Sequence, residues 1–188
     1  MAGRKLVEGE KNNPFERFGL TPAFDLDEGR LAERFRALQR AVHPDQYSHA
    51  SDHERRQAVE RAAAVNTAYQ ILRNPLRRAR CLLALQGVSI EEVDTTVDPI
   101  FLTDHIELQE HLEEARDAQN PNAIFLAVQK TICERRAALL AAFAIHWNAA
   151  TPASLQQAAE VVRQLRFCER MEERLHYLEE FHFESIAH

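Results

Sequence analysis

Three dipeptides in the second half of the chain, Asp98-Pro99, Asn120-Pro121 and Thr151-Pro152, each pair a side chain that can cap a helix with a proline. Proline fits the first position of a helix, where no backbone N–H is needed, and Asp, Asn and Thr side chains accept hydrogen bonds from the free N–H groups there. These dipeptides predict three helices of roughly 20–30 residues within residues 99–188. Long helices joined by short connections predict an antiparallel three-helix bundle.

Signals of the same kind predict a short turn and three helices between residues 13 and 87. Apolar residues recur there every three or four positions, as on the buried face of a helix. The first segment begins at Asn13-Pro14 and ends at Gly19. Asp27 can cap the next helix, and Ser51 and Glu54 form a capping box at the start of the one after it. Asn74-Pro75 breaks that helix, and Gly87 ends the last one. No segment alternates as a strand does, so the predicted fold class is all-α.

The chain divides where the helical pattern is interrupted. Residues 88–98 are predicted to be a linker between two helical parts, residues 13–87 and residues 99–188. Residues 1–12, rich in charge, Gly and Asn, are expected to form a disordered tail.

The charge of the chain limits its binding partners. The formal net charge is −6, with a basic segment at residues 30–80 and an acidic segment at residues 90–117. Nucleic-acid binding depends on neutralising phosphates with Lys and Arg, so an acidic balance argues against it. No stretch is long and apolar enough to predict a membrane span. Two oppositely charged segments predict two different binding faces.

The cysteines and histidines suggest no metal site. Cys81, Cys133 and Cys168 are far apart, no Cys-x-x-Cys pair exists, and the histidines are scattered. Each cysteine has a Leu, Ile or Phe neighbour, which predicts three free thiols in the core. We therefore expect no metal, no cofactor and a reducing, cytoplasmic location.

The tripeptide His43-Pro44-Asp45, named the trigger loop here, is the sharpest functional feature. Its setting comprises a short segment with Phe15 and Phe18, a basic helix with Arg34, Arg36 and Arg40 that runs into the loop, and a second helix ending in Asn66-Thr67-Ala68-Tyr69-Gln70-Ile71-Leu72. In this order and spacing, residues 13–75 resemble a J-domain. The resemblance implies an antiparallel helical hairpin with short flanking helices.

The J-domain resemblance also implies an activity. In that family the loop and the basic helix dock onto an ATPase chaperone and trigger its ATP hydrolysis. Carried over, the trigger loop is the switch, and Arg36 and Arg40 are docking charges. A fixed carboxylate on an exposed loop can pair with a basic partner group, and binding through a basic helix is fast and salt-sensitive. Val42 and Gln46, which flank the loop, depart from residues common in the family.

The rest of the chain resembles one branch of this family. The matching segments are Leu76-Arg77-Arg78-Ala79-Arg80-Cys81-Leu82-Leu83, Phe101 to Glu110, and Val162 to Phe167. From about residue 13 onward, the order resembles HscB, the J-proteins dedicated to iron–sulfur cluster assembly. That resemblance implies a non-enzymatic adaptor with two partners, an HscA-type (DnaK-class) ATPase chaperone and an IscU-type scaffold protein.

A candidate surface for the scaffold lies on the first helix of the predicted bundle. On a helical wheel, Leu102 and Ile106 fall off the core stripe of Phe101, Leu108, Leu112 and Ala115. From the wheel alone, they either form a docking surface or are covered by another part of the chain. In HscB-like proteins the matching surface binds the scaffold; here it comprises Leu102, Thr103, Ile106, Glu107, Glu110, Glu114 and, from the last helix, Phe167. Thr103 departs from the apolar residue usual at its position.

Other functions remain possible from the sequence. The nearest alternative is a J-protein specialised for a different client, and a further one is a structural helical bundle without a chaperone partner. An enzyme that uses His43 and Asp45 as an acid–base pair would need a third group and a pocket, which the sequence does not reveal.

Overall fold

The structure is a computed structural model that describes residues 13–42, 51–88, 90, 99–118 and 121–186. The regular elements of these ranges are all helices, so the predicted all-α class is confirmed. In chain order they are α1 (Pro14–Arg17), α2 (Glu28–Ala41), α3 (Asp52–Arg73), α4 (Pro75–Leu85), α5 (Pro99–Asp117), α6 (Asn122–Ala149) and α7 (Pro152–Ile186).

The helices form two compact units, Met1–Ser89 and Ile90–His188. The expected tail, residues 1–12, lies outside the described residues, and so does nearly all of the expected linker, residues 88–98. Their assignment stays a prediction.

In the first unit, α2 and α3 pack side by side as an antiparallel hairpin. The rings of Phe35 and Tyr69 stack with their centroids 3.9 Å apart, and farther along the pair the Gln39 amide donates to the Asn66 amide oxygen at 3.3 Å. The short α1 packs on α3, where Phe18 lies 6.5 Å from Tyr69 by ring centroids. The most deeply buried residues of α1 to α3 include Phe15, Phe18, Leu31, Val65 and Leu72.

The second unit is a bundle of α5, α6 and α7. The helices α6 and α7 meet at the turn of residues 150–151 and run antiparallel, because Arg136 pairs with Glu172, and Phe125, farther from the turn, contacts His182. The helix α5 packs on both of them. The core joins residues from all three helices: Leu108, Leu112, Ala115, Phe125, Val128, Ile132, Cys168, Met171, Leu175 and Leu178.

The predicted helix starts of this unit differ in how they are capped. Pro152 opens α7 as predicted, and the Thr151 hydroxyl accepts a hydrogen bond from the Ser154 backbone N–H at 3.1 Å. The start predicted at Pro121 is displaced by one residue: α6 begins at Asn122, and no side chain caps it. Pro121 already has helical dihedrals, so the backbone can enter the helix without that cap.

The end of α6 carries the single tryptophan of the chain. The Trp147 ring is nearly parallel to that of Phe143, one turn earlier, with 6.4 Å between centroids. Phe143 is completely buried. The pair is therefore part of the packed structure of the second unit.

The expectation that all three cysteines lie in the core was wrong for Cys133. Cys168 is buried, and burial raises the pKa of its thiol to about 11. Cys81 is half-buried, whereas Cys133 is exposed on α6. An apolar sequence neighbour does not predict burial on a helix, because adjacent residues point about 100° apart.

Arg78 of α4 joins the end of α3 to the segment before α2. Its side chain is buried, its Nη1 donates to the Leu72 carbonyl at 2.9 Å, and its guanidinium lies 5.3 Å from the centroid of the Phe24 ring. Burial lowers the pKa of Arg78, and nearby Glu28 and Asp25 oppose this effect. The Leu72 carbonyl belongs to the last turn of α3, where helical partners are missing, so Arg78 satisfies an otherwise unpaired acceptor.

We expect Arg78→Ala to lower the free energy of unfolding by about 2–4 kcal/mol, because it leaves a buried carbonyl unpaired and removes a packed side-chain stem. Urea unfolding followed by circular dichroism measures this loss. The matched control is Arg77→Ala, since Arg77 is the exposed neighbour on the same helix. An equal loss in both variants would contradict the role of Arg78.

Candidate functional site

The basic face of α2 contains arginines with different roles. Arg36 and Arg40 are exposed and lie one turn apart, on the same side of the helix. Arg34 instead donates hydrogen bonds to the Phe18 and Gly19 carbonyls at the end of α1. Arg34 therefore holds α1 in place, and Arg36 and Arg40 remain available to a partner.

The trigger loop lies outside the described residues, which resume at Ser51, but both of its flanks are defined. On the α2 side, the Val42 backbone N–H donates to the Leu38 and Gln39 carbonyls and ends the helix. On the α3 side, Ser51 and Glu54 form the predicted capping box. The end of α2 and the start of α3, which border the trigger loop, are therefore both defined by capping hydrogen bonds.

The capping box also changes the acidity of Glu54. Its carboxylate accepts hydrogen bonds from the Ser51 hydroxyl at 2.8 Å and from the Ser51 backbone N–H at 2.9 Å. Both bonds favour the charged form and lower the pKa of Glu54, the side-chain bond having the larger effect. A lowered folded-state pKa gives stability that is present above the unfolded pKa and is lost as the pH falls through the folded value.

We expect Ser51→Ala to raise the titration midpoint of Glu54 toward its ordinary value, because both the hydroxyl bond and the cap geometry are lost. A carboxyl titration followed by NMR measures the midpoint. Thr67→Ala, an exposed hydroxyl removed from the middle of the same helix, is the control and should leave it unchanged. A Glu54 midpoint that does not move in Ser51→Ala would show that the box does not form in solution.

The second candidate surface lies on α5. Leu108, Leu112 and Ala115 are buried against α6 and α7, as predicted. Ile106 lies on the outer face and leaves 47% of its surface exposed, although it is a large apolar residue. The predicted partner residues Thr103, Glu107, Glu110 and Glu114 are all exposed as well, and the side chain of Leu102 lies outside what the structure describes.

Phe167, on α7, lies level with Ile106. The parallel register of α5 and α7 is given by the Arg174–Glu113 ion pair of 2.9 Å and, one turn earlier, by Arg170 and Gln109, which line the same groove. Three residues farther back, the same register matches Phe167 with Ile106. Phe167 is half-buried. Two predicted site residues from distant parts of the sequence are thus at the same height in the bundle.

One contact of Phe167 was not predicted from the sequence. The Arg170 guanidinium carbon lies 4.2 Å from the centroid of the Phe167 ring, within the range of a cation–π contact. The two residues are three positions apart on a helix, and this spacing alone could have suggested that they meet.

Metal-binding clusters and membrane-spanning helices were sought among the described residues. In those residues, no cluster of three or more His, Cys, Asp or Glu side chains is arranged to hold a metal ion. Among the helices as far as they are described, none combines the length and the apolar character that a bilayer span requires.

Comparison with known sequences finds relatives over most of the chain. A family model described as the HSCB C-terminal oligomerisation domain matches residues 97–176. The co-chaperone protein HscB homolog of Shewanella loihica is 38% identical over 169 residues, which cover 89% of this chain and 98% of the relative. The homolog of Shewanella woodyi is 37% identical over 180 residues, with 92% and 99% covered.

Solved structures of HscB proteins also match this chain. The chaperone HscB from Vibrio cholerae superposes with a TM-score of 0.78 at 36% identity, covering 89% of this chain and 98% of that one. The human co-chaperone protein HscB gives a TM-score of 0.81 at 24% identity, covering 95% and 85%, which is a likeness of fold alone. The likeness to the bacterial proteins extends over both compact units.

Proposed function

This chain belongs to the HscB co-chaperone family, and on that premise we propose that it is an adaptor with two binding ends. The first unit stimulates the ATPase of an HscA/DnaK-type chaperone through the trigger loop, assisted by Arg36 and Arg40. The second unit delivers an IscU-type iron–sulfur scaffold protein, bound to the outer face of α5 and to Phe167. The observation that carries the scaffold end is the exposed Ile106 beside the carboxylates of Glu107, Glu110 and Glu114.

The chaperone end is supported by the geometry of α2. Arg36 and Arg40 project from one side of a helix whose partner α3 is fixed by the Phe35–Tyr69 stack. Two cations on a rigid helix attract an acidic partner surface from a distance, raise the association rate and make binding sensitive to salt.

The scaffold end is supported by the pairing of apolar and acidic groups. Binding energy at protein interfaces is concentrated in a few apolar or aromatic anchors surrounded by polar residues. Ile106 and Phe167 have the character of such anchors, and Glu107, Glu110 and Glu114 provide a polar border of one sign. This arrangement suits a partner that offers an apolar group with basic neighbours.

The proposed adaptor carries both binding surfaces on one chain. A scaffold held on the second unit is presented at a high effective concentration to a chaperone held on the first. The proposed function therefore requires both ATPase stimulation and client delivery.

The test is the ATPase rate of a purified HscA-type chaperone with this protein, with an IscU-type scaffold, and with both. We expect stimulation by the protein alone and a greater-than-additive rate with both. Stimulation without any scaffold binding would instead indicate a J-protein for a different client. Absence of stimulation by correctly folded protein would overturn the chaperone end.

A further inference from the structure

The guanidinium of Arg170 lies over the ring of Phe167. With its guanidinium carbon 4.2 Å from the ring centroid, it covers part of an aromatic ring that α7 leaves half-buried. Arg170 itself is exposed. A planar guanidinium held against a ring keeps its N–H groups directed outward, and it loses less conformational freedom on binding than an unrestrained side chain does.

The ion pairing of Arg170 differs from that of its neighbour on α7. Arg174, one turn later, pairs with Glu113 of α5 at 2.9 Å. Both arginines line a groove of about 280 Å³ between α5 and α7. Within the described part of the chain, the cation of Arg170 has no carboxylate within ion-pair distance. The seam between α5 and α7 thus presents one neutralised arginine and one arginine whose charge is available.

Charges of opposite sign lie near Ile106 and near Phe167. On the outer face of α5, Glu107, Glu110 and Glu114 lie on one side of Ile106. Across the seam, the cation of Arg170 lies on the Phe167 side. Ile106 thus has three carboxylates beside it on α5, and Phe167 has the Arg170 cation beside it on α7.

Resting on the proposed scaffold binding, we propose that Arg170 is part of the same surface and binds a carboxylate of the scaffold. That carboxylate lies beside the apolar group that covers Ile106 and Phe167, while basic groups of the scaffold face the carboxylates of α5. Opposite charges on the two sides of an apolar contact favour one docking orientation, because the reversed orientation brings like charges together.

The test measures the dissociation constant of the full-length protein and an IscU-type scaffold by calorimetry. We expect Arg170→Glu to raise it by about tenfold or more, because a favourable charge contact becomes a repulsive one. Arg170→Lys, which keeps the charge but loses the planar stack, should raise it by about threefold. Lys130→Glu makes the same change of charge on exposed α6 and should stay within about twofold of wild type.

A second measurement asks whether the guanidinium and the ring meet the same group. In a Phe167→Leu background, Arg170→Glu should cost less than it does in wild type, because the two residues are coupled. Fully additive effects would overturn the shared site. Circular dichroism should show equal helix content in all variants, since Arg170 and Lys130 are exposed and Phe167→Leu keeps an apolar side chain at a half-buried position.

The outcomes separate this inference from the function on which it rests. If wild type binds the scaffold and Arg170→Glu binds as tightly, the inference is overturned and scaffold binding stands. An equal loss in Lys130→Glu would also overturn it, because net charge would then explain both losses. If wild type itself fails to bind, the proposed scaffold function is overturned, and the inference with it.

Discussion

Replacing Asp45 with alanine is expected to return the ATPase rate of an HscA-type chaperone to its unstimulated value. Asp45 contributes the fixed negative charge of the trigger loop, and removing one partner of a charge pair at an interface leaves the other unpaired. His43→Gln should have the same effect. Scaffold affinity should stay within about twofold of wild type, because the proposed scaffold surface belongs to the other compact unit and shares no residue with the trigger loop.

The steady-state ATPase assay and calorimetry with the scaffold, run on the same preparations, measure the two quantities. Ser48→Ala removes a polar group from the same connection and serves as the matched control, for which we expect wild-type stimulation. Full stimulation by Asp45→Ala or His43→Gln would remove the trigger assignment, whatever the scaffold affinity proves to be.

Replacing Leu102 and Ile106 together with alanine is expected to weaken scaffold binding by about 2–3 kcal/mol, or roughly 30- to 150-fold. Ile106 is a large apolar side chain exposed on the outer face of α5, and truncating an apolar anchor removes most of the area that it buries in a complex. Basal ATPase stimulation, which depends on the first unit, should persist.

Calorimetry provides the affinity, and Leu126→Ala is the control. Leu126 is 65% exposed on α6, so the control removes an apolar side chain of similar size from a different face. Unchanged affinity in the double variant, or an equal loss in Leu126→Ala, would show that the scaffold does not bind through the outer face of α5.

The helices were predictable because their signals are local. Caps such as Ser51 and Thr151 act on backbone groups within three residues, and apolar spacing of three and four residues reports the buried face directly. The start of α6 was displaced because Pro121 adopts helical dihedrals without a side-chain cap. The burial of Cys133 was wrong because burial on a helix depends on angular position and not on the adjacent residue.

The candidate site was predictable in part. The wheel placed Ile106 away from the core stripe, and the structure finds it exposed. The separate role of Arg34 could not be predicted, because it depends on carbonyls of α1 more than a dozen residues away. The register that matches Phe167 with Ile106 likewise depends on how α5 and α7 pack, which neither helix specifies alone.

The position of Trp147 has an optical consequence. Because it is the single tryptophan of the chain and is stacked on Phe143, its emission reports on the surroundings of one end of α6. Circular dichroism, in contrast, averages over every helix of both units. Unfolding curves recorded by the two signals on one sample would coincide if the units melt together and would separate if they melt independently. The chain thus carries a natural probe of cooperativity that needs no added label.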